Sequence, residues 1–173
     1  MHRFGGRSTN RLVLALTIAS FLSACGRFNE AETRDRVAQF FPLGPTLSFM
    51  SKIDCTAGAF RLIDDTIGAE VTVEPGIIGM ILMLERRSVV AVDDPALTPD
   101  EIMVKAANYS RDRGMAMRRT VLEARACMDE KLAQEFGRLL AAPEAIFAYD
   151  SDTALVMIID HANRVLVVAR GSA

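Results

Sequence analysis

The chain has 173 residues, half of them hydrophobic, with 20 basic and 22 acidic side chains and a formal net charge of −2. That length suits one ordinary domain with room for a real core, and that charge argues against nucleic acid as a partner. With only two histidines and three cysteines, the usual nitrogen and sulfur ligands for a metal are scarce.

Residues 1–11 carry Arg3, Arg7 and Arg11 and no acid, a positive start of the kind that stays cytoplasmic during export. Residues 12–21 form a compact apolar stretch, within the range of a signal peptide but about half the length of a spanning helix. Leu22-Ser23-Ala24-Cys25 follows and resembles the bacterial lipobox, in which small residues precede a cysteine that is acylated before cleavage. The resemblance covers residues 1–25 only. It implies removal of residues 1–24, attachment of acyl chains such as palmitate at Cys25, and a bacterial lipoprotein facing the periplasm. Gly26 stands where an aspartate would favour the inner membrane, so the resemblance implies delivery to the outer membrane. Loss of three arginines leaves 17 basic against 22 acidic residues, a charge of −5. Lipid, rather than a generally basic surface, is then expected to hold the protein to the membrane.

Cleavage leaves residues 25–45 as a lipidated N-terminus with a short helix, and residues 46–173 as a single domain. Asn29 suits a helix cap before Glu30, and Pro42, Gly44 and Pro45 stop its continuation. Residues 46–63 are rich in β-branched and aromatic side chains, giving one long strand or two short ones, with Gly58 marking a bulge or a close approach. Residues 69–73 alternate weakly like a strand. The apolar run 77–84 favours a buried helix, because methionine and leucine dominate it. A short strand over 88–92 precedes the turn at Asp93-Asp94-Pro95. Thr98-Pro99-Asp100-Glu101 is a helix start with a capping threonine and a glutamate three residues on. It predicts a helix over about 99–110, an interruption at Gly114, and a second helix over about 115–140 with Cys127 inside it.

Residues 145–149, 153–159 and 164–169 are apolar segments separated by Asp150-Ser151-Asp152 and Asp160-His161-Ala162-Asn163. Short polar turns between such segments predict an antiparallel meander. Leu155, Met157 and Ile159 point one way and Ala154, Val156 and Ile158 the other, so the sheet needs cover on both faces. Helices can cover one face. The other calls for the 77–84 segment, a partner chain or a lipid.

Lipidation uses the odd cysteine, so Cys55 and Cys127 are expected to form a disulfide in an oxidising compartment. His161, the one histidine left after cleavage, falls in a hairpin turn without ligands at metal spacing. No triad, Walker or dinucleotide motif occurs. The carboxylates at Asp64-Asp65, Asp93-Asp94 and Asp150-x-Asp152 all fall where turn chemistry explains them. Arg111, Arg118 and Arg125 recur every seven residues, with Arg113 and Arg119 nearby. An ordinary solvated helix face accounts for this stripe, although lipid phosphates or an acidic partner would also suit it. The scattered methionines read as core filling.

These readings combine into an α+β fold. An antiparallel sheet of four to six strands has its C-terminal three-stranded meander at the centre, is packed by helices from about 99 to 140, and is stapled by Cys55 and Cys127. The expected function is that of a non-catalytic binding or envelope-assembly accessory, anchored at Cys25, with an envelope protein partner and neither cofactor, metal nor nucleic acid. One alternative is a lipid- or amphiphile-binding module with a cavity lined by Leu155, Met157, Ile159, Ile78 and Ile81. The other is a cell-wall glycan hydrolase using two carboxylates across a groove.

Overall fold

The computed structural model describes residues 29–172, so Cys25 and the export segment lie outside the described residues. Asn29 opens the first helix, α1 (Glu30–Ala38), by a reciprocal cap: its side chain accepts from the Glu32 N–H while the Glu32 carboxylate accepts from the Asn29 N–H. Strand β1 begins at Leu43, so a boundary at residue 46 falls inside a strand, and α1 is part of the same domain's core.

Seven strands make one sheet: β1 (Leu43–Ser51), β2 (Thr56–Leu62), β3 (Thr72–Glu74), β4 (Val89–Val92), β5 (Ile146–Asp150), β6 (Leu155–Asp160) and β7 (Val165–Arg170). Their order is β1-β2-β7-β6-β5-β4-β3, which puts the C-terminal meander in the middle as expected. All neighbours are antiparallel except β3 and β4, which are parallel. The sheet is thus wider than the four to six strands expected, and mixed. Gly58 marks a close approach: it pairs with Phe49, whose ring lies 2.8 Å from where a Cβ would sit.

Helix α2 (Ile77–Met83) forms from the apolar run, and the Thr98–Glu101 capping box starts α3 (Pro99–Tyr109). The long second helix does not form as expected. It is divided into α4 (Arg111–Ala124), a 3-10 turn (Arg125–Cys127) and α5 (Glu130–Leu140). Asp129 is the cause that can be seen locally, since its carboxylate accepts from the Leu132 N–H and starts a fresh helix. Gly114 does not interrupt the helices either. It lies within α4, where a Cβ would sit 2.1 Å from the Ala107 backbone nitrogen, so it lets α3 and α4 touch.

Alternation along the strands builds two cores. On one face Val156, Ile158, Phe147, Val167 and Ala57 meet all four later helices, through Met80, Ile102, Met103, Met117 and Phe136. On the other, Leu155, Met157, Ile159, Phe60 and Val168 are covered by Val37 of α1, by Phe40 and Phe41, and by Val71. The chain therefore covers its own second face. Segment 77–84 packs on the first face instead, with Ile77, Met80, Ile81 and Leu84 turned inward.

Cys55 and Cys127 are joined by a disulfide with Cα atoms 5.8 Å apart, closing 72 residues of separation. It ties the β1–β2 turn to the turn between α4 and α5, rather than to the interior of a long helix.

Candidate functional site

Of the carboxylates in the three clusters, those of Asp64, Asp65, Asp94, Asp150 and Asp152 are engaged by neighbouring groups. Asp150 ends β5 fully buried. Its Oδ1 accepts from the Asp152 N–H at 3.0 Å, and its Oδ2 accepts from the Thr153 hydroxyl and from Arg36 Nε of α1, each at 2.7 Å. Hydrogen bonding to Asp150 raises the Arg36 guanidinium above its ordinary value, against the effect of burial. The Arg36 guanidinium carbon also sits 4.9 Å from the centre of the Phe40 ring.

Asp160 ends β6 in the same way. It accepts from the Asn163 N–H at 2.9 Å, the Asn163 amide at 2.8 Å and Arg138 of α5. Burial pushes the Asp160 carboxyl upward, but the bonds from Asn163 and Arg138 outweigh it and hold the group below its ordinary value. Asp64 and Asp94 cap the N–H groups of Thr66 and Ala96, and Asp65 pairs with Arg164 at 3.8 Å.

Asp150 and Asp160 sit at opposite ends of β6, since Asp150 pairs with Leu155 and Asp160 with Val165. Five residues of extended chain separate them by roughly 16 Å, beyond the span of a carboxylate pair across one glycosidic bond. His161 is in the β6–β7 turn, where its carbonyl accepts from the Arg164 N–H. Among the described residues no group of three or more His, Cys, Asp or Glu side chains gathers around a common point.

The cavity expected between Leu155, Met157, Ile159, Ile78 and Ile81 does not form. The first three belong to the core beneath α1, Ile81 belongs to the core on the opposite face, and Ile78 is exposed. Strand alternation is the reason: odd-numbered positions of β6 face away from every helix after α1.

What remains open is on the helices. Pro75-Gly76 break the chain after β3 and start α2, leaving a groove of about 400 Å³ between its first turn and the last turns of α3. Ile77, Ile78, Pro75 and Gly79 line one side, while Lys105 and Tyr109, four residues apart on one face of α3, line the other. Glu74 lies at the entrance, its carboxylate folded onto Gly79, where a Cβ would sit 2.2 Å from it. Of the lining side chains, Tyr109 is 62% and Ile78 52% exposed. The groove thus pairs apolar walls with one ammonium and one carboxylate.

The sequence did not single out Lys105, Tyr109 or Glu74, because segment 77–84 is apolar on every side and hides which side stays outside. The basic stripe is real as a surface. Arg111, Arg118, Arg119 and Arg125 are exposed on the outer face of α4 and the turn that follows. No helix among the described residues is long and apolar enough to cross a membrane. No family model matches this chain, nor does any curated protein or solved structure.

Proposed function

We propose that this is a lipoprotein of the bacterial envelope, anchored at Cys25 on the periplasmic face of the outer membrane, and that it works as a non-catalytic binding or assembly accessory. The groove between α2 and α3 carries the binding half of that reading. It offers Ile78 and Tyr109 to an apolar anchor of a partner protein, with Lys105 and Glu74 placed to fix a polar segment beside it. Apolar side chains this exposed around one depression are the mark of a docking surface more than of a solvated one. The disulfide supports the export half, since such bonds persist in oxidising compartments.

Two experiments test the two halves. A photo-crosslinking residue at Ile78 or Tyr109 in intact cells should give one discrete protein adduct, and Lys105→Glu should suppress it. A uniform smear of weak adducts would remove the docking reading. Labelled palmitate should enter the mature protein, and Cys25→Ser should abolish both the label and sedimentation with membranes. Full outer-membrane fractionation of Cys25→Ser would show that another feature anchors it.

A further inference from the structure

The face of α4 turned away from the core carries two parallel rows at seven-residue spacing. Met115 and Leu122, 49% and 63% exposed, form one row, and Arg111, Arg118 and Arg125 form the other. Arg119 flanks the apolar row on its far side. Met115, Arg118, Arg119 and Leu122 line one shallow depression together with Asp112 and Ala116. At the C-terminal end of this face the β1–β2 turn comes alongside, because the Lys52 ammonium donates to the Ala126 carbonyl. Next to Lys52, Ile53 is 82% exposed.

The charges are not balanced locally. Glu123 is engaged by Arg119 at 3.5 Å and by the Ser172 hydroxyl at 2.8 Å. Asp112 is the other acid of the α4 face, and Asp54 follows Ile53 in the turn, against Arg111, Arg118, Arg119, Arg125 and Lys52. Among the described residues Arg111, Arg118 and Arg125 enter no ion pair. In a chain with more acids than bases, this cationic cluster around exposed apolar side chains fits a negatively charged counter-surface that also accepts hydrocarbon.

We propose that this face, with the β1–β2 turn, rests on an anionic lipid surface. Met115, Leu122 and Ile53 enter the headgroup layer, and Arg111, Arg118, Arg125 and Lys52 meet lipid phosphates. The anchor at Cys25 would serve to hold the face within reach of the bilayer, and to that extent the inference rests on the function proposed above.

The chain contains no tryptophan, so Leu122→Trp introduces a single reporter. The full chain carrying it is reconstituted with vesicles of phosphatidylcholine alone or mixed with phosphatidylglycerol, with brominated acyl chains as quencher. Emission should shift to the blue and be quenched only where phosphatidylglycerol is present, and raised salt should reverse both. Adding Arg111→Gln, Arg118→Gln and Arg125→Gln should move the docked-to-undocked ratio roughly 100-fold toward undocked, at about fivefold per charge. These are exposed side chains, and an unchanged melting curve confirms that the triple variant folds.

Quenching equal in both vesicles, or indifferent to the three substitutions, overturns the proposal. So does solvent-like emission throughout, which would direct the face to an acidic protein instead. Quenching that depends on phosphatidylglycerol while palmitate labelling is absent would sink the anchor and leave the lipid-contacting face standing.

Discussion

Asp150 and Asp160 are ten positions apart and do the same work at the two hairpins of the meander. Each ends a strand, accepts an N–H two or three residues on, and is claimed by an arginine from a helix. Each turn then closes on a residue with positive φ, Ala154 at 52° and Arg164 at 51°. A left-handed conformation costs a side-chain-bearing residue about 1 kcal/mol relative to glycine. Ala154→Gly and Arg164→Gly should therefore each stabilise the fold by about 1 kcal/mol, and nearly additively, read as a shift of the urea midpoint. Asp160 also sets a pH dependence. Its folded-state pKa lies below its ordinary value, so its contribution is complete above about pH 4 and is lost as pH falls through the folded value. Asp160→Asn should cost about 1.5–3 kcal/mol at pH 7, and the gap from the parent chain should narrow as pH falls below about 4. A gap that stays constant between the two conditions would mean that charge is not what Asp160 contributes. The turns could be read from Asp-x-x-Thr and Asp-x-x-Asn, but Arg36 and Arg138 could not, because 114 and 22 residues separate them from their carboxylates.

For helices and strands, sequence reading succeeded at two local helix starts and at the hairpin turns, but passed over a third start at Asp129. The capping boxes at Asn29 and Thr98 began helices at Glu30 and Pro99, and the polar turns divided β5, β6 and β7. It failed between residues 110 and 130. Ser110 gives no side-chain cap to α4, and Gly114 looks like a break although it is a contact. Two glycines in helices separate these cases by experiment. Glycine in a helix is ordinarily about 1 kcal/mol worse than alanine, and at Gly137 of α5 nothing lies within 4 Å of the missing Cβ. Gly137→Ala should therefore raise stability by about 1 kcal/mol. Gly114→Ala should do the reverse and cost about 2 kcal/mol or more, because the new methyl group meets the α3 backbone at Ala106 and Ala107. Equal and favourable effects on thermal unfolding would show that α3 and α4 are not in close contact at Gly114.

For the whole molecule, the two-sided sheet announced itself in the unbroken apolar strands, yet its second cover did not. Val37, Phe40 and Phe41 sit in a largely charged and turn-like stretch with no helical stripe, so only the packed structure reveals that they close the core. The staple was legible by cysteine count, while its geometry was not. Its closed loop is worth roughly 4 kcal/mol by the loop-entropy argument, against ~5–15 kcal/mol for a typical domain. Cys55→Ala and Cys127→Ala should each lower the melting temperature, the double substitution should lower it no further, and titration of the denatured oxidised protein should find neither thiol free.

The strand order also governs the sequence of folding events. β2 has its outer neighbour in β1, but its inner neighbour is β7, the last of the sheet's seven strands in chain order, paired from Thr56–Arg170 to Arg61–Val165. Until residue 165 and its successors arrive, the N-terminal hairpin is a two-stranded ribbon with no sheet to join, and such ribbons are marginal in water. The halves of the sheet therefore meet only once β7 has been made, through contacts more than a hundred residues apart, which makes closure slow. A polypeptide cut short before β7 would present β2 and β6 as two raw edges, the kind of surface that other chains pair with.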